Sequence, residues 1–255
     1  MRSPVIAPVT RGLIGFPLFF LTTQTDRFFA WTIEPPLTAA ILGANYFAST
    51  AMAILASRKH AWAEGRVAVS VALAFAPITT AATFIHLDRF HLDSFFGWFW
   101  VIAYGIYPPM LLFYLVKQLK IPGEDPPRRE PLAGWVKGIF AVHAVLLLPL
   151  GLVMFISPRT TFDLWPWALT DLTSRALSAW VIALGVLALH SLIENDISRT
   201  KVAFYSYPVF GVLHLIGIAR FSQDMRWDLA GAWVYLGYLA TTLVLGAYGF
   251  LAARR

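Results

Sequence analysis

The chain has 255 residues, of which 58% are hydrophobic and 13% charged, with no cysteine and a formal net charge of +6. A soluble domain carries about a quarter charged residues, so water is excluded as the main solvent, and the missing cysteines exclude disulfides, thiolate metal sites and cysteine nucleophiles. The basic residues are scattered at segment ends instead of striped along one face, which points to membrane orientation and away from nucleic acid.

Apolar runs near twenty residues long, separated by clusters of Arg, Asp, Pro and Gly, predict eight transmembrane helices near 12–24, 35–57, 67–86, 96–117, 138–157, 172–193, 202–219 and 230–252. The expected fold is therefore an all-α, multi-pass integral protein of the cell membrane. The opening SPVIAPVTRG lacks an unbroken apolar core followed by a cleavage site, so the N-terminus is expected to stay. The first span is the weakest: about a dozen apolar residues follow Arg11, roughly 18 Å of helix, so it must extend backward with Arg11 snorkelling, or fall short.

Glu34, Pro35 and Pro36 open the second span, where a carboxylate suits a helix N-terminus. Within that span Ala40, Ala44 and Ala48 form a small-residue stripe that lets another backbone approach. The polar groups near mid-depth are Asn45, Thr79, Thr80, Ser206 and His214, together with some tyrosines, and Asn45 and His214 are expected to hydrogen-bond between helices. Pro77, Pro108, Pro109, Pro149 and Pro208 fall inside spans and predict kinks.

HLDRFHLD, residues 86–93, follows the third span with two imidazoles and two carboxylates. His86, His91 and Asp93 are weak candidates for a metal site, because residues five apart do not share a helix face. Residues 121–132, IPGEDPPRREPL, predict an extended and solvated cytoplasmic linker. In the sixth span Arg175 lies four residues after Asp171, a spacing at which the two can pair. Unpaired, its planar fork suits an anionic headgroup. His143 and His190 lie at depths compatible with two haem ligands, but no other haem signal accompanies them. No cofactor is assigned.

Shifting the chain by 135 residues sets Leu37, Thr38, Leu42 and Ala44 on Leu172, Thr173, Leu177 and Ala179, and Arg66, Val67 and Ala68 on Lys201, Val202 and Ala203. With small gaps Pro17 falls on Pro149, Arg89 and Phe90 on Arg220 and Phe221, and Trp100 and Val101 on Trp233 and Val234. The expected organisation is a first four-helix half at 1–120, the linker at 121–132, and a second half at 133–255. An even number of spans per half makes the two parallel repeats. With both termini cytoplasmic, only Arg27, Arg89, Arg159, Arg175, Arg220 and Arg226 of the 20 basic residues lie outside, as the positive-inside rule requires.

Eight of the 10 tryptophans (31, 98, 100, 165, 167, 180, 227 and 233) fall toward the outer face. The candidate ligand-binding residues are there too: Glu34, His86, Asp88, Arg89, His91, Asp171 and Arg175. Three activities remain compatible with this pattern. The first is binding of a lipid-like ligand or of partner subunits in a membrane complex, which the scarcity of buried charge favours. The second is an intramembrane enzyme with an outer-face His/Glu/Arg site. The third is a facilitator for a neutral or amphipathic solute.

Overall fold

The computed structural model describes residues 14–252. Their regular structure is helical, and one isolated antiparallel bridge joins Trp167 to Met225. α1 covers residues 14–20 and is followed by a 3-10 turn, Thr22–Gln24, and a short helix, Thr25–Phe28. Seven further helices are long and apolar enough to cross a bilayer: α2 Pro36–Ser57, α3 Trp62–Ile85, α4 Phe95–Leu119, α5 Gly134–Ile156, α6 Asp171–Glu194, α7 Ile197–Arg220 and α8 Ala230–Ala252. This is the architecture of a multi-pass membrane protein.

The segment read as the first span begins outside the described residues, as do Arg2, Arg11, Arg254 and Arg255. The described α1 rises only about 10 Å at 1.5 Å per residue, so it is not counted among the seven. It nonetheless packs closely: a Cβ added at Gly43 of α2 would meet the backbone nitrogen of Phe19 at 2.6 Å. Three helices start earlier than the apolar runs suggest, at Trp62, Gly134 and Ile197. Their first turns hold Glu64 and Arg66, Lys137, and Arg199 and Lys201, charges that a helix end tolerates at the interface.

The core is an exchange of partners. α2 packs against α7 and α6 against α3, while α3 and α7 also meet each other. The alanine stripe of α2 serves α7, since Gly217 brings that backbone against Ala40. α5 lies along α6 and α8 along α7. α4 packs on α3 and is the least buried, with 11% of its most apolar window enclosed.

Residues 121–132 carry no helix or strand, and they are tied to the ends of the helices beside them. Asp196 accepts the backbone N–H groups of Arg129 (2.7 Å) and Glu130 (3.1 Å), and Asn195 accepts that of Leu132 at 3.3 Å. Asn195 closes α6 in the left-handed region at φ 43°, which Asn tolerates. Burial alone raises the pKa of Asp196, yet the hydrogen bonds from Ser198, Glu130, Arg129 and Arg199 outweigh it and hold the carboxyl at about 2. Beside it Glu194, fully buried, is hydrogen-bonded by Arg66 and by Arg199 (2.9 Å), and Asp125 of the linker pairs with Arg66 at 2.5 Å. Residues 125–132 are thus strapped across the start of α3, the end of α6 and the start of α7.

Candidate functional site

The outer-face candidates divide. Arg175 does not turn to Asp171; its Nε donates to the Phe155 carbonyl at the end of α5 (3.0 Å) and its Nη1 to Nε2 of His86 (2.8 Å). Arginine has no acceptor, so Nε2 of His86 is the unprotonated nitrogen. Burial first, and Arg175 second, lower the pKa of His86. Asp171 pairs instead with Arg159 at 3.1 Å, and Asp88 with Arg89 at 3.2 Å, both on the exposed surface. These five candidates share one charged neighbourhood.

Glu34 and His91 stand apart from it. Glu34 lines an outer cleft of about 790 Å³ with Asp26 and Thr32, and His91 bonds Thr32 at 3.2 Å. Among the described residues no three His, Asp or Glu side chains are grouped to hold a metal ion, so His86, His91 and Asp93 form no such centre. His143 and His190 face different neighbours, Thr241 at 2.9 Å and Ser70 at 2.7 Å, and do not oppose each other as haem ligands would.

A different site lies deeper. A cavity of about 370 Å³ sits between α5, α6, α7 and α8, with Ile41 and Asn45 of α2 on one side. Ligand pockets run from about 300 to 1,000 Å³, so this one suits a small molecule. Trp165, Trp167, Trp180 and Phe210 make aromatic walls, and Leu147, Leu150, Leu177 and Leu184 complete an apolar lining that contains no charged residue. Asn45 stands nine residues into α2, about 14 Å from its start. The cavity reaches the surface beside Leu164 and Val234, which are 68% and 66% exposed.

Its polar groups are the informative part. The hydroxyls of Tyr235 and Tyr238 and the Nε1 of Trp165 are buried with no hydrogen-bond partner among the described residues. The side chain of Asn45, 4% exposed, has no hydrogen bond among the described residues, and His214 bonds the Phe210 carbonyl of its own helix at 2.6 Å. Among the described residues, neither makes the expected interhelical bond. A buried polar group left unpaired costs about 1–3 kcal/mol, and native proteins keep few of them. Several around one cavity mark a place shaped to bond something that enters it.

A second, almost closed cavity of about 10 Å³ gives the comparison. Each of its nine lining residues stands 135 or 136 positions from a residue that lines the large one. Some places keep their bulk: Phe29 answers Trp165, Trp31 answers Trp167, Leu42 answers Leu177, and Phe75 answers Phe210. Others do not, because Trp180 stands where the large cavity has Asn45, and Tyr46 where it has Val181. Ala176 and Ile41, Thr79 and His214, and Trp100 and Tyr235 complete the set. The Trp180 ring lies 4.0 Å from that of Phe75, and the hydroxyl of Tyr46 reaches that of Tyr104 at 2.6 Å. Trp100 donates to Thr83 at 2.9 Å. Aromatic bulk fills the space; the polar atoms of Tyr46 and Trp100 find partners, while Trp31 Nε1 and the Thr79 hydroxyl are buried with none among the described residues.

Comparison of the chain with protein-family models, with characterised proteins and with solved structures gives no match.

Proposed function

We propose that this chain is a membrane-embedded binding protein for a neutral, lipid-like molecule, held in the large cavity and admitted sideways from the bilayer between α5 and α8. The observation that carries this reading is an uncharged, aromatic-walled cavity of about 370 Å³ ringed by buried polar atoms without partners. A charged ligand would leave its charge uncompensated there, at a cost far above that of a hydroxyl or carbonyl. An intramembrane enzyme at the outer face draws less support, since its candidate residues are divided between an exposed ion-pair cluster and a separate cleft.

The proposed architecture is two parallel four-helix halves, α1–α4 and α5–α8, with both termini cytoplasmic. The exchange of partners, α2 with α7 and α6 with α3, is the pattern a two-fold axis along the membrane normal would give. Backbone hydrogen bonds recur at an offset of 135 or 136 residues. His91 N–H donates to the Ala30 carbonyl (2.9 Å) as Arg226 does to that of Pro166 (2.7 Å), and Phe90 to Leu87 as Met225 does to Ser222, both 3.2 Å. Leu21 to Pro17 (2.9 Å) is repeated by Ser157 to Val153 (2.8 Å). These pairs favour a register with a single one-residue step between Trp31 and Leu37, in which Trp100 answers Tyr235 and Gly15 answers Gly151, over pairings such as Pro17 with Pro149. The orientation rests on the distribution of basic residues.

The test is lipid extraction and mass spectrometry of the purified protein beside the double variant Asn45→Trp, Val181→Tyr, which copies the filled cavity. The proposal expects a neutral lipid that is stoichiometric in the wild type and lost from the variant. Identical lipid in both preparations defeats it.

A further inference from the structure

The polar atoms of the cavity are not interchangeable, and their chemistry selects among neutral lipids. His214 bonds a backbone carbonyl through Nδ1, and a carbonyl can only accept, so the proton of the neutral imidazole is on Nδ1. The nitrogen left over, Nε2, is then a pure acceptor. The indole Nε1 of Trp165 is a pure donor and has no partner. Asn45, Tyr235 and Tyr238 both donate and accept. A ligand that satisfies this ring must supply at least one hydrogen to His214 as well as lone pairs to its neighbours.

On the reading of the cavity given above, we infer that the ligand is a lipid alcohol whose hydroxyl donates to Nε2 of His214 and accepts from the surrounding Asn, Tyr or Trp groups. A hydroxyl carries one donor and two acceptor positions, which matches the ring. A ketone, aldehyde or ether of the same shape can only accept, and it leaves Nε2 buried and unpaired. Sites built to bond a hydroxyl reject analogues that lack the donor much more strongly than apolar pockets reject a change of size. The uncharged lining disfavours phospholipids and fatty acids in the same place.

Calorimetric titration of the full chain in lipid nanodiscs with farnesol, farnesyl methyl ether and farnesal tests this. The alcohol is expected to bind at least about tenfold more tightly than the ether or the aldehyde. The His214→Phe variant, similar in shape, should bring all three to parity by weakening the alcohol alone. Equal affinities in the wild type overturn the inference while leaving the cavity reading intact, as does a preference that survives in His214→Phe. If the variant does not fold, the wild-type comparison decides by itself. Failure of every probe to bind, together with lipid content unchanged in the filled double variant, removes both the inference and the reading beneath it.

Discussion

On the proposed repeat, Asn45 and Trp180 occupy corresponding places beside two cavities, and they leave opposite results. Around Trp180 the rings of Phe75 and Tyr46 close at 4.0 and 5.1 Å, and about 10 Å³ remains. Around Asn45 about 370 Å³ remains, and three buried polar atoms beside it lack partners. Between helices in lipid, packing rests on van der Waals contact and not on release of water, and a ring that fills a cavity gains those contacts. The filled side takes that stabilisation; the large side forgoes it. On the proposed repeat, a cavity left open at one place and packed at its counterpart is where the function is expected to lie.

The comparison can be broken from either side. The largest effect is expected for Trp180→Ala, which empties the filled cavity and removes a wall shared with the large one; a loss of about 3–5 kcal/mol should appear in denaturant titration. If stability is unchanged, Trp180 is not the plug. Next comes the double variant Asn45→Trp, Val181→Tyr, whose affinity for the lipid should fall at least about 100-fold, equivalent to about 2.7 kcal/mol, while its thermal midpoint holds or rises. A collapse of the fold would mean that the two sides are not equivalent in shape. Smallest is Thr79→Val, which deletes an unpartnered hydroxyl at the place answering His214; stability should stay within about 1 kcal/mol of wild type or increase. A larger loss would show that Thr79 has a partner, and with it that the filled side is wetter than described.

Much of the fold was legible in the residues. Runs of apolar side chains place seven spanning helices, and the 135-residue shift aligns Leu42 with Leu177, both of which line cavities. The register of the first helices was not legible, because the connection from Trp31 to Leu37 is one residue longer than that from Trp167 to Leu172, and α1 shifts by 136. The polar residues of the site were visible at mid-depth as Asn45 and His214, but a polar group in a span ordinarily bonds a neighbouring helix. What turns them toward a ligand is missing volume opposite them, which Val181, Ala230 and Gly231 supply and which no single residue announces. Tyr235 and Tyr238, three apart on α8, were the available signal for the face they share. At the outer rim the partner of Arg175 is a main-chain carbonyl, invisible in a side-chain pattern, and the strap from Asp125 to Arg66 joins residues 59 apart.

The central claim is an asymmetry: one cavity receives a lipid and its counterpart does not. Photo-crosslinking with a diazirine-bearing farnesol analogue, followed by peptide mass spectrometry, measures that asymmetry directly. Adducts should fall on the large cavity, at Leu150, Val181, Val234 or Tyr238, and be displaced by unlabelled farnesol. Displaceable adducts around Phe75, Thr79 and Trp100, or labelling spread evenly over the lipid-facing helices, would contradict it.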